Sequence, residues 1–387
     1  MDKNSYKLKD FAEPIAVAVT DPQKSCHDKF VGLEHYDSGE PVISRFSDTS
    51  LLSSSCKEFQ KNDILIARRN VYLRRAGIAP FSGLTSGDSI VLRIFENCEK
   101  STGIPYDVAI KIIPFVLNSN SFWVYANRHA DGMNSKRISK EKVLDYDFEL
   151  PSLIEQKILA EKLWAAYEVK QSYLKMIETT HKMVKSLFIE MFGDPMVNDK
   201  QWPEYRNLSE VTQIVLGSTP NSKEPSFWDG DIRWITPAEM TDQSYIINET
   251  ERHITEVGQR SANLTMLPEG AVLFSTRAPI GKVAIVGKEM CFNQGFKNFI
   301  CSDKLNNVFL FYTLKFKKDY LCSLGTGTTF KELSKRTVES LKIAVPPIEL
   351  QKHFEDIYNQ ADKSISELRK SIDAIDKVIK SLINENL

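Results

Sequence analysis

The sequence predicts a mixed α/β chain with a pseudo-two-fold internal repeat. Two globular domains are joined by two long helices that form an antiparallel coiled coil. Three observations carry this: a repeat offset by 195 residues, two sustained heptad seams, and short strand-like pieces between turn residues. A length of 387 residues supports two or three domains.

The repeat is clearest where Asp131–Glu190 aligns without a gap onto Thr326–Glu385. Gly132 falls on Gly327, Lys136 on Lys331, Ser139-Lys140 on Ser334-Lys335, Pro151 on Pro346 and Gln156-Lys157 on Gln351-Lys352. From Gly132 to Glu190 there are 16 identities in 59 positions. Upstream the similarity weakens and the offset shifts. Asp63–Arg69 resembles Ala271–Arg277, and Tyr6–Phe11 resembles Arg206–Val211. The order is thus globular part, helix, globular part, helix, with the helices the more alike.

The first domain, residues 1–150, has strand candidates at Ile64–Ala67, Ser89–Phe95 and Phe122–Tyr125. From Pro151 the pattern turns helical, with proline in the first turn and then no Gly or Pro until Gly193-Asp194-Pro195. The seam of this helix reads Leu159, Leu163, Ala166, Lys170, Tyr173, Ile177, Thr180, Val184 and Leu187, with Lys170 and Thr180 as polar interruptions. Polar seam residues are expected to fix register or partner choice. Trp164, Leu174, Phe188, Ile189 and Met191 lie off the seam. They either cover their own globular domain or offer a surface to another subunit. His181, beside the seam, is expected to be structural.

The second domain, residues 194–345, has strand candidates at Thr212–Leu216, Ile232–Ile235, Ala271–Phe274, Lys282–Val286 and Phe296–Cys301. An amphipathic helix is expected over Asn306–Leu321. The last helix, residues 346–387, carries Phe354, Tyr358, Ala361, Ile365, Leu368, Ile372, Ile375, Ile379 and Leu382 in alternating steps of four and three. Neither seam has another partner in the sequence, so the two helices are expected to pack on each other. A helix of about 36 residues is roughly 54 Å long, against about 34 Å for one turn of B-DNA.

Composition narrows the function. Net charge is −1, so nucleic-acid contact would need local basic patches or a more basic partner. The six cysteines form no Cys-x-x-Cys pair and no His cluster sits near them. That argues against zinc and disulfides and fits a reducing cytoplasm. Met1–Asp10 lacks the apolar core of a signal peptide, and no apolar run is long enough to span a bilayer.

Four groups of residues could meet DNA through phosphate or base contacts. Arg68, Arg69, Arg74 and Arg75 surround Tyr72, as a gripping or reading loop or as a solvated strand face. Lys136 and Arg137 follow Asp131-Gly132, where the second half has Thr326-Gly327-Thr328-Thr329. A Gly-Thr turn opening a helix would present N–H and hydroxyl donors to a phosphate, or be an ordinary capped turn. Lys331, Lys335 and Arg336 follow it. Ser218, Thr219, Arg277, Asn293 and Gln294 are base or backbone candidates, with Arg277 alternatively a buried ion-pair partner. Trp228 and Trp234 are expected in the core. No nucleotide-binding loop, amino-methyltransferase motif, nucleophile triad or metal-ligand series is present.

An ordered series then becomes specific. It runs Gly217-Ser218-Thr219-Pro220, Phe227–Thr236, Ile254-Thr255, Gly258, Arg277 with Gly281, Asn293-Gln294-Gly295, Thr326–Phe330, and Val345–Gln351. It resembles the target-recognition domain and following shared helix of type I restriction-modification specificity subunits. Phe148–Gln156 resembles the family's joint in the first half. The first half lacks the Gly-x-Thr-Pro and Trp-x-Gly pieces; Arg69–Arg75 and Ser86-Gly87-Asp88 look like a different subtype of the same domain.

The resemblance implies a non-catalytic DNA-binding subunit. Residues 1–150 and 194–345 would be target-recognition domains, and 151–193 and 346–387 the conserved helices. The target would be double-stranded DNA with two half-sites and an unspecified spacer. Partners would be methyltransferase subunits, two of them, and restriction/translocase subunits. S-adenosylmethionine, ATP and magnesium would bind those partners. Alternatives are a methylation-only phage-defence system, a scaffold without sequence reading, or an enzyme with an unrecognised site.

Overall fold

A computed structural model describes residues 4–133, 135–327 and 331–387. Backbone contacts divide it into two units, Met1–Lys175 with Arg369–Leu387, and Met176–Leu368. Each unit therefore takes part of each long helix.

In the first unit an antiparallel sheet runs in the order Ala12–Ile15, Ser89–Ile94, Ile64–Ala67, Ala76–Ile78. Alternation along the strands sorts its side chains to two faces. Ile64, Ile66, Ile90 and Leu92 join the core formed with helices Tyr106–Val116 and Asn120–Arg128. Leu65, Ala67 and Val91 pack instead with Val31 and Phe59 of a second, five-stranded sheet. Both faces are covered, so Ile64–Ala67 reads as a continuous apolar run.

Phe122–Tyr125, expected as a strand, lies inside the helix Asn120–Arg128. The Ser119 hydroxyl caps it by accepting from the Phe122 N–H at 3.1 Å. Phe122, Trp123 and Ala126 bury one helical face. Aromatic residues favour strands in general, but this cap and this spacing win.

The second unit repeats the plan. Its sheet runs Thr212–Leu216, Lys297–Cys301, Val272–Phe274, Val283–Val286, with Ile246–Ile247 added at the edge. The first four strands stand in the same order as those of the first unit. Smaller details recur too. Asn4–Lys7 pairs with Asp147–Leu150, and Tyr205–Asn207 with Lys342–Ala344. The Leu8 N–H donates to the Tyr146 carbonyl at 3.1 Å, and that of Leu208 to Leu341 at 2.8 Å. The expected helix Asn306–Leu321 is two helices, Asn307–Phe316 and Lys318–Ser323, broken at Lys317. The Lys317 ammonium reaches Asp194 at 2.6 Å.

A second sheet in this unit holds Arg252–Ile254, Trp228–Ile235 and Cys291–Phe292. Trp228 and Ile232 both stand opposite Ile254, so the strand bulges between them, with Asp229 at φ 60°. Gly230 lies at the bulge because a Cβ there would come within 2.6 Å of the Ile254 carbonyl oxygen.

The long helices are Leu153–Phe192 and Ile348–Asn386. In both, a fully buried glutamine folds back on the proline of the joint. Gln156 Nε2 donates to the Pro151 carbonyl at 2.8 Å, and Gln351 Nε2 to Pro346 at 2.6 Å. In the first unit Leu159 and Leu163 share a core with Ile383, and Ile379 and Leu382 pack against it. In the second, Val184, Phe188 and Phe192 share a core with Phe354, Tyr358 and Ala361. In each unit, the N-terminal part of one helix segment meets the C-terminal part of the other, which makes them antiparallel.

The heptad seam needs adjustment. Leu159, Leu163, Val184, Phe354, Tyr358, Ala361, Ile365 and Ile372 are buried. Ala166, Tyr173, Ile177, Leu187, Leu368, Ile375, Ile379 and Leu382 are only half-buried. Phe188, Phe192 and Ile383 take the deeper positions. A straight α-helix drifts against a strict seven-residue repeat, and here globular domains as well as a helix supply the partner surface. The off-seam residues divide. Phe188 and Met191 cover the second unit's core, and the Trp164 indole donates to the Lys111 carbonyl at 2.9 Å. Leu174 and Ile189 stay exposed.

Lys170 is buried on the seam, and its ammonium is held by Asp376 at 2.7 Å and by Glu40. Burial pulls its pKa down, but the two carboxylates more than offset this and leave it raised. The interruption is thus a hydrogen-bonded pin between both helices and the first domain.

Candidate nucleic-acid interface

In the first unit the strand Ile64–Ala67 runs out into Arg68 and Arg69. Asn70 and Arg74 then both adopt left-handed backbone, φ 55° and 52°, around a short turn at Val71–Leu73. Val71 is buried as its anchor, and Tyr72 projects outward, 61% exposed. Arg74 is exposed.

Arg75 departs from the expectation of a DNA-facing group. Its Nη1 donates to the Leu33 carbonyl at 2.8 Å and its Nη2 to that of Arg69 at 3.0 Å. Burial, the largest influence on it, lowers its pKa. It is an inward clamp on the loop, because carbonyls of its own chain take its fork.

The segment after Gly132 lies along this loop. Asp131 and Arg137 exchange backbone hydrogen bonds of 2.9 and 2.8 Å. The Asn70 N–H donates to the Lys136 carbonyl, and the Ile138 N–H to that of Arg68. Arg69 Nε donates to the Ser135 hydroxyl at 2.8 Å. Arg69 and Arg137 both approach the Asp88 carboxylate, at 3.9 and 3.4 Å. Lys136 is exposed. Arg68 shares a cavity of about 260 Å³ with Lys57, Ser139 and Lys140. Burial first, and then the Arg68 charge, lower the pKa of the Lys57 ammonium. The chain thus gathers Arg68, Arg69, Tyr72, Arg74, Lys136 and Arg137 on one unit, while Asp88 neutralises part of the charge.

The second unit builds the equivalent place from different residues. Gly217 lies so close to Asn293 that a Cβ would be 2.0 Å from its carbonyl oxygen, so only glycine fits. The Ser218 N–H donates to the Phe292 carbonyl at 3.2 Å, and the Thr219 hydroxyl donates to the Gln294 side-chain oxygen. Asn293 Oδ1 accepts from the Gly295 N–H at 2.9 Å. The N–H groups of Thr276 and Arg277 donate to the Gly295 carbonyl. Ser218, Thr219, Arg277, Asn293 and Gln294, up to 76 positions apart in sequence, are thereby one cluster.

Arg277 is an ion-pair partner, 3.3 Å from Glu332, but the pair is half-exposed. Lys297, nearly buried, bonds the same carboxylate at 3.1 Å and the Thr276 hydroxyl at 3.0 Å. The Leu333 N–H donates to the Thr276 carbonyl, as Ile138 does to Arg68. Lys331, Lys335 and Arg336 are exposed, with Lys335 3.4 Å from Glu339. Thr328 and Thr329 lie outside the described residues.

Thr326 and Glu332 bridge just as Asp131 and Arg137 do, and among the described residues the next helices begin only at Lys335 and Lys140. The helices that follow, Lys140–Leu144 and Lys335–Glu339, are capped by the Ser139 and Ser334 hydroxyls. Those hydroxyls satisfy helix N–H groups that a phosphate would otherwise have used.

Sequence reasoning missed Asp88, Glu332, Lys57 and Lys297 as members of these clusters. Glu332 had one available signal: it stands where the repeat places Arg137. Trp228 and Trp234 are buried. Among the described residues no cluster of His, Cys, Asp and Glu could hold a metal, and no helix is long and apolar enough to cross a membrane.

Residues 200–376 match the family model described as "Type I restriction modification DNA specificity domain". Over this segment the chain is similar to type I DNA specificity domains. Among its relatives is the type I restriction enzyme MjaIX specificity subunit of Methanocaldococcus jannaschii, 34% identical over 182 residues, which are 46% of this chain and 42% of that one. The putative MjaX specificity subunit of the same organism is 25% identical over 266 residues, 65% of this chain and 61% of that one. The HindI specificity subunit of Haemophilus influenzae is 26% identical over 188 residues, 47% of this chain and 41% of that one. The matches thus span less than two thirds of these relatives. A chain from a structure of type I R-M system assembly aligns over 98% of this chain and 96% of its own, with TM-score 0.57 and 19% identity. The type I S subunit from M. genitalium aligns over 99% and 95%, with TM-score 0.57 and 12% identity. These two likenesses concern the fold. The matched segment is the part of the chain that holds the Ser218, Arg277 and Gln294 cluster.

Proposed function

We propose that this chain is the DNA-reading, non-catalytic subunit of a type I restriction-modification complex, with one half-site read by each globular domain. The observation that carries this is the duplicated construction of the clusters. The same four-strand order ends in both units in a polar loop tied to a bridged turn, yet the side chains differ. Conserved construction with divergent side chains is what two different half-sites require. The half-sites would be separated by an unspecified spacer.

Methyl transfer, cleavage and ATP hydrolysis would belong to partner subunits, which would bind S-adenosylmethionine, ATP and magnesium. Two methyltransferase subunits and the restriction/translocase subunits are the expected partners. Exposed apolar side chains on the first long helix support docking there. Ile154, Ile158 and Val169 are exposed in the first unit, and Met176, Met183 and Ile189 in the second. The second long helix exposes only Val378 among its large apolar side chains.

Methylome sequencing of host cells with and without the gene tests this reading. One split motif should lose methylation when the chain is removed. Methylation unchanged at every motif would defeat it. A system that methylates without restricting gives the same methylome result, and phage plating with and without the gene separates the two.

Substituting Asp88→Asn should release Arg69 and Arg137 from their shared carboxylate. Binding to DNA of any sequence should tighten roughly two- to tenfold, with steeper dependence on salt. Fluorescence anisotropy at several salt concentrations measures both. Unchanged affinity and slope would mean these arginines do not face phosphate.

A further inference from the structure

Arg252 stands directly opposite Trp234 in the small antiparallel pairing of the second unit. Its guanidinium carbon lies 3.7 Å from the centroid of the Trp228 ring and 5.3 Å from that of Trp234. The two indoles meet edge-on, with centroids 5.1 Å apart. Each spends its N–H on the candidate reading loop. Trp228 donates to the Asn221 carbonyl at 3.1 Å, and Trp234 to the Ser218 carbonyl at 3.2 Å. The same pair of rings therefore fixes that loop and Arg252.

The arginine itself is exposed, and its guanidinium has no hydrogen-bond or ion-pair partner among the described residues. Neighbouring arginines are committed otherwise. Arg233 holds Glu249 through two bonds of 3.1 Å, Arg260 holds Glu256, and Arg277 holds Glu332. A guanidinium resting on an indole keeps its planar fork of N–H donors free at the edge while losing rotamer freedom in advance. That is the state in which a bidentate contact costs least on binding.

We propose that Arg252 is a base-reading residue of the second domain, its fork directed at a guanine edge in the major groove. Guanine offers two adjacent acceptors there, O6 and N7, and arginine is their commonest bidentate partner. The proposal rests on the DNA-reading function above and adds to it the residue and the type of base.

Selection from a randomised duplex library by the full chain tests it, comparing wild type with Arg252→Lys and Arg252→Ala. The lysine variant keeps a cation over the indole, so the sheet and the loop should stay folded, but it lacks the fork. Both variants should lose preference at one G·C pair of the half-site, by roughly ten- to a hundredfold, with the other half-site unaltered. Retained preference in both variants overturns the proposal. So does a uniform loss of affinity across all sequences with a reduced salt slope, which identifies a phosphate contact instead. If wild type itself selects no sequence, the DNA-reading function fails and the proposal falls with it. A wild-type preference that survives both substitutions removes Arg252 alone.

Discussion

On the proposed function, with one half-site read by each globular domain, inserting one heptad into each long helix, after Lys175 and after Leu368, should lengthen the gap between the half-sites by about three base pairs and leave both half-sites unchanged. Seven helical residues rise about 10.5 Å, and base pairs stack about 3.4 Å apart. Both sites lie where the structure passes from one unit to the other within an unbroken helix. A whole heptad also restores the side-chain register on each face. Every native target site should then go unmethylated, replaced by sites with the wider gap, and methylome sequencing of cells carrying the altered chain reads this out. An unchanged gap would mean that the helices do not set it.

Phe188→Ala should cost the second unit about 3–5 kcal/mol. Phe188 has no exposed surface, and its ring meets those of Phe192, Phe309, Tyr312, Phe316 and Phe354 at centroid distances of 4.7–5.9 Å. Truncation there would leave a cavity between both long helices and the domain core, walled by rings that cannot easily collapse into it. Leu187→Ala, one position earlier, should cost less because Leu187 is half-buried. Urea denaturation of both variants decides between two accounts of the helix. Heptad spacing alone ranks Leu187 first, and packing ranks Phe188 first. A larger loss at Leu187 would overturn the packing account.

That contrast shows where the sequence was legible. Periodicity located both helices to within a few residues, because one long apolar seam without Gly or Pro admits little else. It misjudged depth along the seam, because a heptad count assumes that a helix is the only partner. Ile64–Ala67 and Thr212–Leu216 read as strands from composition. Phe122–Tyr125 did not read as helix, because its Ser119 cap and its buried face show only against neighbours. Arg68, Arg69, Lys136 and Arg137 were visible as a basic concentration. What turned Arg75 inward was the position of the Leu33 carbonyl, 42 residues away. What set Arg252 on Trp228 was strand pairing across a bulge.

The amino-acid order alone determined the duplication, the helices and the alternation of globular and helical parts, since these follow from local spacing and self-similarity. Which charged groups stay free was decided by tertiary structure. Asp88 and Glu332 neutralise some arginines and lysines, backbone carbonyls absorb Arg75, and a pair of indoles holds Arg252 open. Such choices depend on groups brought within 4 Å from distant parts of the chain, and distance in space is not written in the order of residues.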